Sequence, residues 1–206
     1  RGPKGAKRTG FFIGGRDAIL ALDMLETARK AMVPPFEVSV FADPAGSFTT
    51  AAAMVACVEN TLKKAHGLEL AKRHVTVFGA TGVVGFSAGV IAGQQGAKVT
   101  LAGYDGVARV EKFAAEAKKR FGVDLGFADA STDALKDDVL EATEVILCAG
   151  RAGTQVLSRA QIGRGKALKV VADVNAVPPA GIEDVGVMDD GADLEGVSAC
   201  AIGAMT

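Results

Sequence analysis

Three glycines, Gly79, Gly82 and Gly85, separate the apolar run His74–Phe78 from an apolar helix-like segment. The pattern predicts a strand, a tight turn and a helix whose N-terminal N–H groups and positive dipole end can hold a pyrophosphate. Against the G-x-G-x-x-G pattern, Ala80 replaces the first glycine, and we expect this to remove the left-handed backbone option at that turn. The predicted cofactor-binding residues of the turn are Gly79, Thr81, Gly82, Val83, Val84 and Gly85.

A carboxylate follows the next predicted strand at the distance expected for a ribose-binding residue. Asp105 stands twenty positions after Gly85, where an acidic side chain accepts hydrogen bonds from the adenosine ribose hydroxyls. A carboxylate there repels a 2′-phosphate and so favours NAD. Arg109, one helical turn further on, can pair with such a phosphate. The sequence therefore predicts NAD or NADP as cofactor, with NAD favoured by Asp105.

Two further loops leave predicted strands at the same edge. Small residues, Ala149 and Gly150, follow one strand and suit a chain that passes beside the nicotinamide ribose. The other loop carries Asp173 and Asn175 and is stiffened by Pro178 and the proline after it. Because the carboxyl ends of parallel strands share one edge of a sheet, we expect these loops to meet the glycine turn.

Hydroxyls and a carboxylate also cluster nearer the start of the chain. Asp43, Ser47, Thr49 and Thr50 follow a predicted strand and lead into a long helix. One interpretation is a turn in which Ser47 or Thr49 caps the helix. The other is a ligand-binding loop, because α/β folds place ligands at the carboxyl ends of strands.

Strands alternate with helices over most of the chain. We predict strands at 9–13, 36–41, 75–78, 98–102, 123–127, 145–149, 168–172 and 197–202, and helices from 17, at 47–65, 83–95, 107–121, 132–142 and 156–162. This pattern predicts an α/β protein with a Rossmann-type, doubly wound parallel sheet and a smaller α/β lobe. The predicted divisions are 1–67 for part of the smaller lobe, 68–182 for the dinucleotide-binding domain and 183–206 for a segment that returns toward the first lobe.

Composition narrows the class of protein. The net charge of −1 gives no global field for nucleic acid or membrane partners. The three widely spaced cysteines indicate reduced core thiols in a cytoplasmic protein, and with two histidines and no Cys-x-x-Cys pair we expect no metal site. Because the chain begins at Arg1 rather than Met and ends abruptly at Thr206, we expect a fragment that lacks both ends.

The loop 41–50, the turn Gly82–Gly85, the stretch 103–110 and above all the loop 173–182 are very similar to the NAD(P)-dependent methylene-tetrahydromethanopterin dehydrogenases of methylotrophic bacteria. The resemblance runs from about Thr9 to the end. It implies a pterin-binding lobe, a Rossmann lobe and oligomeric subunits. An NADP-specific branch of the family, with basic residues after the second strand, resembles the chain less.

The resemblance implies oxidation of methylene- to methenyl-tetrahydromethanopterin during formaldehyde oxidation. The cation left by hydride loss is delocalised over two nitrogens, so no general base is needed. We expect Asp43 or Asp173 to stabilise that cation as the catalytic carboxylate. The substrate-binding residues implied are Asp43, Ser47, Thr49, Thr50 and Pro178, and Asn175 would hold the nicotinamide end.

Two other functions remain open at this point. One is a methylene-tetrahydrofolate dehydrogenase with cyclohydrolase activity, which calls for a lysine in the pterin cleft, and the loop 42–50 contains none. The other is a non-catalytic NAD-binding module, in which the loop from Asp43 to Thr50 has no small-molecule role. Comparing folate with methanopterin as substrate distinguishes the folate enzyme from the methanopterin dehydrogenase. A test for hydride transfer distinguishes either enzyme from the non-catalytic module.

Overall fold

The structure is a computed structural model and describes residues 2–205. Its first part contains helix α1 (Gly2–Ala6), strand β1 (Gly10–Ile13), helix α2 (Ala18–Ala31), strand β2 (Ser39–Ala42) and helix α3 (Ser47–Thr61). Strands β1 and β2 form a two-stranded parallel sheet. Helix α2 begins where the Asp17 carboxylate accepts the Leu20 N–H at 2.9 Å, and it ends shortly before two prolines. A π-helical turn, Leu62–His66, extends α3.

The second part alternates strands and helices. It consists of β3 (His74–Phe78), α4 (Val83–Gln94), β4 (Lys98–Gly103), α5 (Val107–Phe121), β5 (Gly126–Asp129), α6 (Asp133–Leu140), β6 (Val145–Cys148), α7 (Arg159–Arg164), β7 (Val170–Asp173), β8 (Asp190–Asp193) and β9 (Cys200–Ile202). The strands form one sheet of order β5-β4-β3-β6-β7-β9-β8, in which β8 alone is antiparallel. Strand order reverses between β3 and β6, which is the switch point where doubly wound sheets bind ligands.

Helices cover both faces of this sheet. On one face α3, α4 and α5 contribute to a core that includes Val58, Phe86 and Leu101. On the other face α6 and α7 pack over a second core that includes Ile146 and Ile162. Strands β6 and β7 are buried along their whole length, because a parallel sheet needs cover on both sides.

Helix α3 joins the two parts of the molecule. It packs along α4 and also contacts β7, β8 and β9, and its buried positions Ala51, Val55 and Val58 belong to the same core as Phe86. Residues 190–202, beyond the predicted end of the dinucleotide-binding domain, lie in the large sheet as β8 and β9. The division at 67 and 182 stays a prediction.

The predicted fold class is confirmed, with local differences. Strand β2 spans residues 39–42 rather than 36–41, and β5 spans 126–129 rather than 123–127. The sequence did not indicate β8, whose residues Asp190–Asp193 are mostly polar and exposed. This edge strand forms because it pairs with β9, and not because its own residues alternate between apolar and polar.

The small sheet carries exposed aromatic side chains. The Phe12 and Phe41 rings lie side by side, with centroids 5.9 Å apart, and more than half of each residue's surface is exposed. Within residues 2–205, every helix is too short or too polar to cross a membrane.

Candidate dinucleotide and substrate site

The glycine turn after β3 requires glycine at two positions. Gly79 has a φ of +72°, and a Cβ there would lie 2.1 Å from the Ala149 carbonyl oxygen. A Cβ on Gly85 would lie 2.3 Å from the Gly79 carbonyl oxygen, so this glycine lets α4 approach the turn. The expectation that Ala80 limits the turn was wrong, because the left-handed residue is Gly79, and Ala80 has a negative φ.

The N-terminus of α4 has free donors. Its N-cap is Gly82, no side chain caps the helix, and the first turn holds no acidic residue. The Gly82 N–H donates to the Gly79 carbonyl at 2.9 Å. The N–H groups of Val83, Val84 and Gly85 belong to the first turn of α4, where the helix itself supplies no acceptor. Such a terminus binds anions, and the residues present therefore fit a dinucleotide pyrophosphate.

A cavity of about 610 Å³ opens beside this turn, and we call it the switch-point cavity. Six predicted cofactor-binding residues line it: Gly79, Thr81, Gly82, Arg109, Ala149 and Gly150. The lining does not include the remaining predicted residues, which are Val83, Val84, Gly85, Asp105 and Asn175.

The lining also contains nine residues that the sequence had not assigned to the site: Phe78, Ala102, Tyr104, Ala130, Lys136, Arg151, Thr154, Gln155 and Val156. Arg151 immediately follows Gly150, so the strand-end rule that identified Gly150 would also have found it. Lys136 lies on α6, and no strand-end signal in the sequence points to it.

Arg109 spans the cavity mouth. Its guanidinium donates to the Tyr104 hydroxyl at 2.7 Å, to the Asp105 carboxylate at 3.0 Å and to the Thr81 hydroxyl at 3.1 Å. The bonds to Asp105 and then to Tyr104 raise the pKa of Arg109. The side chain therefore connects the glycine turn to the loop after β4, where an adenosine ribose binds in Rossmann folds.

Asp173 is 2% exposed, and its carboxylate is held within its own loop. One oxygen accepts the Asn175 N–H and the other accepts the Ile182 N–H, each at 3.0 Å. Burial raises the pKa of Asp173, and the N–H bonds oppose that shift. Burial and the nearby Asp173 carboxylate raise the pKa of the Cys148 thiol to about 12. By accepting the Asn175 and Ile182 N–H groups, Asp173 stabilises the loop 173–182.

Asn175 connects two of the loops at this edge. Its side-chain oxygen accepts the N–H groups of Val177 at 3.0 Å and Gly153 at 3.4 Å, and its amide nitrogen donates to the Pro179 carbonyl at 3.1 Å. Pro178 lies exposed at the tip of this loop. The loops after β6 and β7 are thus fixed relative to each other.

In the loop before α3, the Asp43 carboxylate accepts the Phe48 N–H at 2.7 Å and the Thr49 hydroxyl at 2.8 Å. The predicted hydroxyl cap was therefore wrong: the N-cap residue is Gly46, and Asp43 supplies the acceptor because the loop folds its carboxylate over the first turn. Ser47 is fully buried, and its hydroxyl has no partner among the described residues.

A smaller cavity of about 130 Å³ lies between α3 and the ends of β7 and β9, and we call it the α3 cavity. Thr50, Cys57 and Asp173 line it together with small residues after β9. The structure thus brings Thr50 and Asp173 together. The α3 cavity lies at the same carboxyl edge of the sheet as the switch-point cavity. Among residues 2–205, no group of three or more His, Cys, Asp or Glu side chains could hold a metal ion.

Strand order, the glycine turn and the switch-point cavity define a Rossmann-type α/β protein, and the cavity lies where such folds bind dinucleotides. A solved transhydrogenase from Sinorhizobium meliloti shares this fold, with a TM-score of 0.58 and 14% identity, over 98% of this chain and 68% of that one.

Sequence comparison finds more similar proteins. A family profile described as methylene-tetrahydromethanopterin dehydrogenase, N-terminal, matches residues 1–45. The NAD(P)-dependent methylenetetrahydromethanopterin dehydrogenase of Methylorubrum extorquens is 47% identical over 187 residues, 91% of this chain and 63% of the relative. The bifunctional protein MdtA of the same organism is 33% identical over 95% of this chain and 66% of that protein. The chain is similar to these methylotroph proteins over more than nine tenths of its own length, and it spans just under two thirds of theirs.

Proposed function

We propose that the protein transfers a hydride from methylene-tetrahydromethanopterin to NAD or NADP and forms the methenyl product. The observation that carries this proposal is the relative with 47% identity that is named for this reaction. The glycine turn and the switch-point cavity support it, because they provide what a dinucleotide requires. A folate substrate has no comparable support in the relatives' names.

The cofactor-binding residues proposed are those of the turn and the two loops beside it. The N–H groups of Val83, Val84 and Gly85 would hold the pyrophosphate, and Ala149 and Gly150 would allow close approach of the cofactor. Asn175 would act by fixing the loops around the nicotinamide end. When bound, NAD(P) supplies the hydride acceptor.

Asp105 and Arg109 would select between the two cofactors. The Asp105 carboxylate favours the free 2′-hydroxyl of NAD, because a 2′-phosphate in its place would be repelled. Arg109 can exchange its bond to Asp105 for a bond to that phosphate, and Tyr104 keeps the guanidinium in position. Both cofactors are therefore expected to work, with NAD preferred.

The pterin would lie at the carboxyl edge near α3. Thr50 is exposed and shares the α3 cavity with Asp173, which supports contact of both with the substrate. Asp43 and Thr49 would shape the loop through their mutual bond, and Ser47 would support α3 from its buried position. Pro178 would contact the substrate from the exposed loop tip.

The residues would act by position and charge. No proton has to be removed when a hydride leaves a carbon between two nitrogens, so the reaction needs no general base. A buried carboxylate such as Asp173 interacts strongly with a developing cation, because the surrounding dielectric constant is low. Asp43 is the second proposed carboxylate.

Cytoplasmic, homo-oligomeric subunits are also proposed. The three free cysteines support a reducing compartment. The exposed aromatic pair on the small sheet supports an association surface.

The test is an assay of the complete protein with methylene-tetrahydromethanopterin or methylene-tetrahydrofolate and with NAD or NADP, followed by the absorbance of the reduced nicotinamide. Turnover with the methanopterin substrate is expected with both nucleotides. Cofactor binding without turnover on either pterin would contradict the proposal and favour a non-catalytic module.

A further inference from the structure

The switch-point cavity is lined by three cationic side chains, Arg109, Lys136 and Arg151, and its lining residues within 2–205 include no carboxylate. Arg109 is bound to Asp105, and the Lys136 ammonium donates to the Val156 carbonyl at 3.0 Å. Arg151 is exposed and makes neither an ion pair nor a side-chain hydrogen bond with any residue in the described part of the chain. Of the three cations, Arg151 is the one that can bind an anion without giving up a bond to another described residue.

The backbone of Arg151 lies beside the glycine turn. Gly79 approaches Ala149 and Gly150 so closely that an added Cβ would clash with both, and Arg151 is the next residue. A tight turn follows, in which the Thr154 N–H donates to the Arg151 carbonyl at 3.1 Å. Because Asn175 holds Gly153 in this turn, the base of the Arg151 side chain is fixed at the rim of the cavity.

The phosphate-binding turn lacks a cation of its own. The first turn of α4 is Val83-Val84-Gly85, so the helix offers N–H groups and a dipole equivalent to about half a charge. A dinucleotide pyrophosphate carries two negative charges. A guanidinium close to the turn would supply the missing countercharge through charge-assisted hydrogen bonds.

We infer that Arg151 is a further cofactor-anchoring residue, whose guanidinium binds the pyrophosphate that NAD and NADP share. This inference rests on the proposed dinucleotide site. It separates two arginines by function: Arg109 responds to the 2′-phosphate and affects the choice of cofactor, whereas Arg151 strengthens the binding of both cofactors equally.

The experiment measures nucleotide binding by calorimetry, which needs no turnover, and adds the KM for the pterin from the turnover assay. The complete protein and its Arg151→Gln variant are titrated with NAD, NADP, ADP-ribose and adenosine. Arg29→Gln on α2 is the matched control, because it removes the same charge from an exposed arginine that does not line the cavity. Arg151→Lys tests whether the charge alone is enough.

We expect Arg151→Gln to weaken NAD, NADP and ADP-ribose by about tenfold each and to leave adenosine unchanged. The loss should shrink as the ionic strength rises from about 0.02 M to about 0.5 M, and Arg151→Lys should recover part of the affinity. Arg29→Gln should bind every probe as the parent protein does.

Three results would overturn the inference: unchanged binding of ADP-ribose, a loss confined to NADP, or unchanged nucleotide binding with a raised KM for the pterin. The last would place Arg151 on the substrate instead. Failure of the parent protein to bind any nucleotide would refute the proposed function itself, whereas binding without turnover would leave the Arg151 result intact.

Discussion

Replacing Gly79 with alanine, and comparing the result with Gly122→Ala, tests whether steric contact adds to backbone strain at the glycine turn. Gly122, the C-cap of α5, has a φ of +68° against +72° for Gly79, but an added Cβ there meets nothing within 4 Å. Gly122→Ala should therefore cost only the left-handed strain, about 1–2 kcal/mol. At Gly79 the same methyl group would lie 2.1 Å from the Ala149 carbonyl oxygen, more than 1 Å inside ordinary contact distance.

Displacing the loop after β6 should add about 1–3 kcal/mol of overpacking to the strain at Gly79. The total of about 2–5 kcal/mol corresponds to a fall in Tm of about 4–20 °C for a chain of this size. Since Ala149 and Gly150 line the switch-point cavity, NAD affinity should also fall at least about tenfold.

Thermal unfolding and calorimetric titration with NAD measure both effects, with Gly122→Ala as the control. That control should keep parental affinity for NAD. Equal losses of Tm in the two variants, together with unchanged NAD affinity in Gly79→Ala, would refute the steric account of the turn.

Two predictions concern the α3 cavity. Iodoacetamide at a pH between about 7 and 9 should modify half-buried Cys57 before Cys148, because the Cys148 thiol, with a pKa of about 12, stays protonated at that pH. Bound pterin should slow the reaction at Cys57, because Cys57 lines the α3 cavity. Peptide mass spectrometry that finds Cys148 modified first would contradict this. Asp173→Asn should lower the free energy of unfolding by about 1–3 kcal/mol, because an amide presents only one acceptor to the two buried N–H groups. An unchanged denaturation midpoint would show that these bonds add no stability.

Much of the fold is readable in the sequence because its strands are continuous apolar runs. Residues 145–148 have no polar interruption, and 107–121 places apolar residues at helical spacing, so both elements were predicted within one residue of their bounds. Strand β8 could not be found this way, because its sequence, Asp-Gly-Ala-Asp, carries no alternating pattern and its backbone bonds come from β9.

The site was predictable to the level of loops. Strand ends identify which segments meet, and this brought Gly79, Ala149 and Arg109 to one cavity. The sequence did not predict which groups each side chain would bond to, because those bonds depend on how the backbone turns over three to nine residues. The role of Asp43 and Asp173 toward a ligand stays a prediction, and the sequence did not show that their oxygens accept N–H groups from their own loops.

The position of α3 has a consequence for how the two parts of the molecule can move. A pivot at the connection near residue 67 would have to slide α3 across α4 and break a continuous core. The loop that precedes α3 is held as well, because Asp43 accepts hydrogen bonds from Phe48 and Thr49. Thr50 therefore keeps its place against the Rossmann sheet. The α3 cavity and the switch-point cavity are expected to keep their relative position for the same reason.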